Sequence, residues 1–259
     1  MSLSKRELER LNREVIRRVE DYSKLKIHGR EVRSPYFMNN AGWHLGNLMR
    51  EVGIGENQID EWSRRWKEKE VPFAWHRGKG TPEQLAEAVH EISEKVGLPL
   101  KRASSGVVRE FMKLYGLGVD CSGFVFEVLR FGFGKMGKEK MFVDSLDWSS
   151  EVRDASRAGA FVFAGEASRV VGFDEIQPLD LLLFKNRTGK YNHIAILVDD
   201  NGLVVAQSGI SRCPSGVGKS QIKMDDGEVR FSYRPEIGKS WEKLLQEGRL
   251  EFRRLKILG

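Results

Sequence analysis

The stretch that most constrains this chain is Gly118-Val119-Asp120-Cys121-Ser122-Gly123-Phe124-Val125-Phe126-Glu127-Val128-Leu129. A cysteine sits at a polar turn and runs straight into an apolar segment with helical spacing. Phe124, Val128 and Phe131 share one face, with Val125 and Leu129 flanking it. This spacing places Cys121 at a helix N-terminus, where unpaired amides and the positive end of the helix dipole favour the nucleophilic thiolate. Gly123 leaves room for close backbone approach, and a backbone amide near the sulfur can serve as an oxyanion donor. A lone cysteine in an apolar helix is ordinarily a packing residue. The polar shoulder of Asp120, Ser122 and Gly123 argues against that here, because a buried helix has no need of it.

The Asp-Cys-Ser-Gly-Phe-Val string resembles the nucleophile motif of the NlpC/P60 family, papain-like cysteine peptidases that mostly cut peptide stems of bacterial cell walls. A second block agrees: Pro178-Leu179-Asp180-Leu181-Leu182-Leu183-Phe184, then Asn192-His193-Ile194-Ala195-Ile196-Leu197, resembles the family's strand pair, whose second strand carries the catalytic histidine. The resemblance covers roughly Val71 to the C-terminus. It implies an α+β papain-like NlpC/P60 fold, in which the helix carrying the nucleophile packs on an antiparallel sheet, with a helical N-terminal extension. The implied division is an accessory region over 1–70 and a catalytic domain over 71–259, with insertions near 81–115 and 132–172.

The pattern is not matched everywhere. Val71-Pro72-Phe73-Ala74-Trp75-His76-Arg77-Gly78 resembles the family's Pro-Tyr-x-Trp-Gly-Gly segment, whose tyrosine hydroxyl faces the active site, but Phe73 has no hydroxyl. Either another residue such as Tyr115 supplies it, or the substrate differs. Substrate contacts are expected at Asp120, Ser122, Phe73, Trp75 and Tyr115. The long 132–172 insertion is the expected seat of selectivity.

His193 begins a strand from which it can reach Cys121, and of the five histidines it alone lies in a block so organised. A third polar group should orient the imidazole. Gln207 and Ser208 are the polar residues in the right region, and register decides between them. A three-residue loop, Asp200-Asn201-Gly202, pairs Asp199 with Leu203 and puts Gln207 on the His193 face; a two-residue loop would put Ser208 there. The three-residue loop is chosen, so the expected catalytic set is Cys121, His193 and Gln207. A glutamine carries no charge, so it stabilises an imidazolium less than a carboxylate does.

The rest of the chain supplies context. Ser4-Lys5-Arg6-Glu7 is a capping box opening a helix to about Lys24, with Leu8, Leu11, Val15, Val19 and Tyr22 along one stripe. A loop follows through Gly29 and Pro35. Helices are expected over 44–52 and 58–67, with Trp43, Trp62 and Trp66 read as core. Thr81, Pro82 and Gln84 start another helix that Gly97 stops, and a further one runs from Ser105 to Leu114. Phe131-Gly132-Phe133-Gly134 is expected to end the nucleophile helix. Strands are expected over 181–185, 193–198, 203–208, 227–234 and 250–258, the last two at sheet edges, with a short helix over 241–246.

Composition sets the outer bounds. With two cysteines, Cys121 and Cys213, there is no disulfide framework, and both are read as reduced. No Cys/His cluster has metal-ligand spacing, which argues against a structural zinc, and the resemblance implies no metal or organic cofactor. The net charge of +6 and pI near 9.3 permit attraction to polyanions, yet acids interleave the bases and no basic stripe carries aromatics, so nucleic acid is not an expected partner. No apolar run spans a membrane, and the charged first eighteen residues lack a secretory signal. Read as it stands the chain is cytoplasmic; with a leader removed it would be secreted or wall-associated. The resemblance implies hydrolysis of a peptide or isopeptide amide, most often a γ-D-glutamyl link to a diamino acid in peptidoglycan. The alternatives are an intracellular amidase or acyltransferase, or an idle binding module whose N-terminal helices recruit a protein partner.

Overall fold

The structure is a computed structural model that describes residues 3–37, 56–57, 78–95, 100–149, 151, 153–209, 216–225, 228–231 and 235–259. The expected helices over 44–52 and 58–67, their tryptophans, Phe73, Trp75, Gly97 and Cys213 lie outside the described residues. Among the described residues, no helix is long and apolar enough to cross a membrane.

Helix α1, Lys5–Ser23, opens at the Ser4 capping box: the Glu7 amide donates to Ser4 Oγ and the Ser4 amide to the Glu7 carboxylate. Strands β1 (Leu25–Ile27) and β2 (Arg30–Val32) then form a hairpin where a loop was expected. His28 and Gly29 turn it, both in the left-handed region. Helix α2, Pro82–Lys95, starts at Thr81, which caps Gln84 and is capped by it in return. Helix α3 spans Ser105–Leu114, with Ser104 as its cap.

Helix α4, Cys121–Lys135, is the axis of the molecule. Phe124, Val125, Phe126, Val128, Leu129 and Phe133 are all buried, so it is covered all round rather than along one face. Phe131 is the departure from the expected stripe: it is half-buried, with Arg17, Arg18 and Lys135 around its ring at 5.0, 4.5 and 5.1 Å. The helix ends at Lys135, one residue past the Phe131-Gly134 stretch expected to end it. A Cβ on Gly132 would lie 2.6 Å from Leu11 Cδ1 and 3.3 Å from Val15 Cγ2, so this glycine marks where α1 crosses α4 closely rather than where α4 ends.

Helix α5 is Glu139–Asp144, and short 3-10 turns lead to β3, Ser168–Val170. The remaining strands are β4 (Leu181–Lys185), β5 (Tyr191–Asp199), β6 (Leu203–Gly209), β7 (Gly216–Asp225), β8 (Glu228–Phe231) and β9 (Leu250–Leu255), with α6 (Pro235–Gln246) between the last two. They form a mixed α+β architecture around one antiparallel seven-stranded sheet, in the order β3-β9-β4-β5-β6-β7-β8. Two strand expectations are corrected. β9 lies inside the sheet, between β3 and β4, rather than at an edge, and β7 is a long strand in a stretch assigned none.

Strands β4 and β5 are buried on both faces, which explains their unbroken apolar runs. Leu181, Leu183, Ile194, Ile196 and Val198 face the helices α1 and α4, while Leu182, Phe184, Ala195, Leu197 and Val205 face Trp241 of α6. Residues 3–37 are not set apart from this body. Leu11, Val15, Val19 and Tyr22 belong to the same core as Phe124 and Ile194, and Phe142, Val162 and Phe163 carry the 132–172 segment into it.

Candidate active site

Cys121 occupies the first turn of α4 because its neighbours build that terminus. Asp120 caps it: its carboxylate accepts the Gly123 amide at 2.6 Å and its carbonyl the Phe124 amide at 2.9 Å. Two extended segments bracket the turn. Val119 bridges Tyr36 on one side and Lys79 on the other. The Asp120 amide donates to Gly78 O at 2.8 Å, and Val119 exchanges bonds with Pro35 and Phe37. Gly123 lies so close that a Cβ there would sit 2.4 Å from Gly78 O. The glycine in the motif is therefore a requirement of packing.

The sheet opens to receive this terminus. The β5–β6 ladder pairs Asp199 with Leu203 and stops at Ile196 with Ala206. Beyond that point the strands part, with β6 continuing to pair with β7 to the level of Gly209. Ile194 stays paired with Leu183 of β4 while its amide pulls the Cys121 thiol down as a backbone hydrogen-bond donor, and Ser208 Oγ donates to Val119 O at 2.7 Å. The sulfur thus sits against the backbone of the residue that follows His193.

His193 is half-buried, with its ring 5.0 Å from that of Phe184. Its Nε2 lies 2.7 Å from Oε1 of the fully buried Gln207. A carboxamide oxygen only accepts, so Nε2 carries the hydrogen and the lone pair is on Nδ1. The Asp199–Leu203 pairing is the register of the three-residue loop, here with Asn201 and Gly202 both at positive φ.

The electrostatics depart from the simple helix-terminus argument. Burial pushes the Cys121 thiol up to about 12, and the Asp120 charge adds to this; the Ile194 amide, Lys79 and the Ser122 amide pull the other way. The dipole is outweighed by desolvation, and the sulfur rests as a thiol. Burial also raises the Asp120 carboxyl, opposed by Lys79 and by the hydrogen bonds from Gly123 and Ser122.

The expected substrate contacts fare differently. Asp120 and Ser122 are buried and bonded to Lys79, so their side chains brace the turn that carries Cys121. Tyr115 caps α3 with its ring tilted against Phe111 at 4.6 Å between centroids, and burial alone raises its phenol. The phenol that feels Cys121 belongs to Tyr36, which burial, then Cys121 and Asp120, push above its ordinary value. Tyr36 and Lys79 were both missed. The signal for the first was the Pro35-Tyr36 pair itself: Tyr36 stands 42 residues before Gly78, and the two segments meet only in space, on either side of Val119.

No protein-family model and no curated protein matches the chain. Among the described residues, no group of three or more His, Cys, Asp or Glu side chains gathers as a metal site. A cavity of about 270 Å³ opens beside Lys79, lined also by Phe126, Glu127, Arg130 and Arg153, and neither Cys121 nor His193 lines it.

Proposed function

We propose that this chain is a thiol hydrolase of the papain-like NlpC/P60 type, acting on a peptide or isopeptide amide. The observation that supports it is one arrangement: Cys121 Sγ against the Ile194 amide, with the adjacent His193 held through Nε2 by Gln207. In the proposed reaction, sulfur attacks the amide carbonyl carbon as its proton passes to His193 Nδ1, so His193 acts as general base on a neutral thiol. The tetrahedral oxyanion accepts from the Cys121 backbone amide at the helix terminus. As the C–N bond breaks, the imidazolium returns its proton to the leaving amine. Water then attacks the thioester with His193 again as base, which releases the acid and restores the thiol. Gln207 fixes the tautomer through both halves of the cycle.

The substrate reading rests on the sequence resemblance. It is the γ-D-glutamyl link to a diamino acid in peptidoglycan stem peptides. The test is mass spectrometry of such peptides incubated with the protein. The wild type is expected to cleave that link, and Cys121→Ala and His193→Ala to lose about 10³-fold or more in rate. Cleavage by Cys121→Ala at the wild-type rate would overturn the assignment. An added amine acceptor separates the two chemistries open to a thioester, since a conjugated product identifies transfer and free acid identifies hydrolysis.

A further inference from the structure

Lys79 is only 2 % exposed, an unusual place for an ammonium group. Its Nζ donates to Asp120 Oδ1 at 2.8 Å, Ser122 Oγ at 2.7 Å and Ala158 O at 2.8 Å, so its three hydrogens meet three acceptors. Asp120 Oδ1 also takes the Ser122 hydroxyl at 3.2 Å and the Gly123 amide at 2.6 Å. A carboxylate receiving that many donors is ionised. The pair therefore puts a buried negative charge next to the nucleophile and a buried positive charge directly behind it. Three segments meet at Nζ: the Gly78–Gly80 strap, the turn that carries Cys121, and the Ala158 stretch inside the 132–172 segment.

We propose that Lys79 is a positioning residue for Cys121, cancelling the Asp120 charge at the sulfur and clamping the Asp120–Ser122 turn to Ala158. This rests on reading Cys121 as the nucleophile. The charged and titratable groups that act on the sulfur or respond to it are Asp120, Lys79 and Tyr36. On the cavity side of Lys79, Arg130 is committed to Glu127 and Glu139, and Arg153 to Asp144. Among the described residues, Lys79 is the cation bonded to Asp120.

The consequence is a signed electrostatic dependence. Without Lys79, Asp120 acts on the thiol unopposed and thiolate formation becomes harder; without Asp120, Lys79 acts alone and it becomes easier. The experiment follows Cys121 alkylation by iodoacetamide against pH, read by peptide mass spectrometry, in the wild type, Lys79→Met, Asp120→Asn and the double variant. Lys79→Met should slow labelling about tenfold at pH 8, equivalent to about one pKa unit. Asp120→Asn should speed it, and the double variant should return to within about threefold of the wild type. A Lys79 that merely fills space gives a double variant at least as slow as Lys79→Met, which overturns the proposal. If Lys79→Met does not fold, Asp120→Asn alone still decides: unchanged or slower labelling counts against it. The readout is the thiol itself and involves no peptide substrate. Loss of the hydrolase reading on substrate grounds would therefore leave this result standing, and the reverse also holds.

Discussion

A thiol pushed up to about 12 by burial does not rest as a thiolate at neutral pH. In the proposed reaction the proton must therefore move as the substrate is attacked, which makes the orientation of His193 by Gln207 matter more than its charge. This has a thermodynamic signature. The folded-state value is above that of the free thiol, about 8.5, so the contribution to stability is fully present below that pH. It is lost as pH rises toward the folded value. Stability should fall by about 1.4 kcal/mol per pH unit above 8.5, or about 2 kcal/mol by pH 10, before most tyrosines titrate. Urea unfolding at several pH values checks this, with Cys121→Ala expected to lack that alkaline slope. A wild type that gains stability relative to Cys121→Ala through pH 8.5 would instead reveal a resting thiolate–imidazolium pair.

At the scale of elements, the site depends on a sheet whose β5–β6 ladder stops at Ile196 and Ala206, next to where α4 enters. On the other side of β5 lies β4, and its entry is fixed by a buried ion pair. Asp180 is fully buried; its carboxylate accepts from Arg254 Nε at 2.8 Å, from a second guanidinium nitrogen at 2.9 Å, and from the Gln177 amide at 2.9 Å. Asp180→Leu leaves Arg254 as an uncompensated buried charge and should cost roughly 3–5 kcal/mol in urea unfolding. Pairing it with Arg254→Met should recover most of that loss, and failure to recover would mean that Asp180 acts through the Gln177 turn instead. The same elements show what a sequence reader can see. The capping boxes at Ser4 and Thr81, the start of α3 at Ser105 and the register set at Asp200-Asn201-Gly202 are decided within a few residues, so they were legible. Other features are decided by neighbours far along the chain. β9 inserts between β3 and β4, Tyr36 pairs beside Val119, and Gly132 is dictated by Leu11. β7 was hidden for a related reason: Lys219, Gln221 and Lys223 give it a polar composition, and its pairing with β6 and β8 reveals it as a strand.

At the scale of the molecule, α1 is where distant parts of the chain are tied together. Its apolar stripe enters the common core, and its polar side reaches outward in several directions. Arg18, itself buried, makes a two-pronged pair with Glu83 of α2; Glu20 pairs with Lys219 of β7; Glu7 pairs with Lys138 after α4. In each pair the carboxyl lies below its ordinary value, chiefly through its hydrogen bond to the cation, with Glu83 and Glu7 at about 2. A depressed folded value contributes stability above the unfolded value of about 4.3, which is lost as pH falls through the folded one. The window is therefore about pH 4 to pH 2. Glu83 and Glu20 are partly exposed and screened, so each contributes about 1 kcal/mol or less, and their effect is felt mainly as the docking of one helix. Hydrogen exchange at descending pH should show the α1 amides losing protection before those of β4 and β5, which are held by apolar burial that acid does not touch. Added salt should move the α1 step to higher pH by weakening the pairs. Simultaneous loss of protection in α1 and the sheet, unaffected by salt, would show that the apolar stripe of Leu11, Val15 and Val19 alone holds the helix.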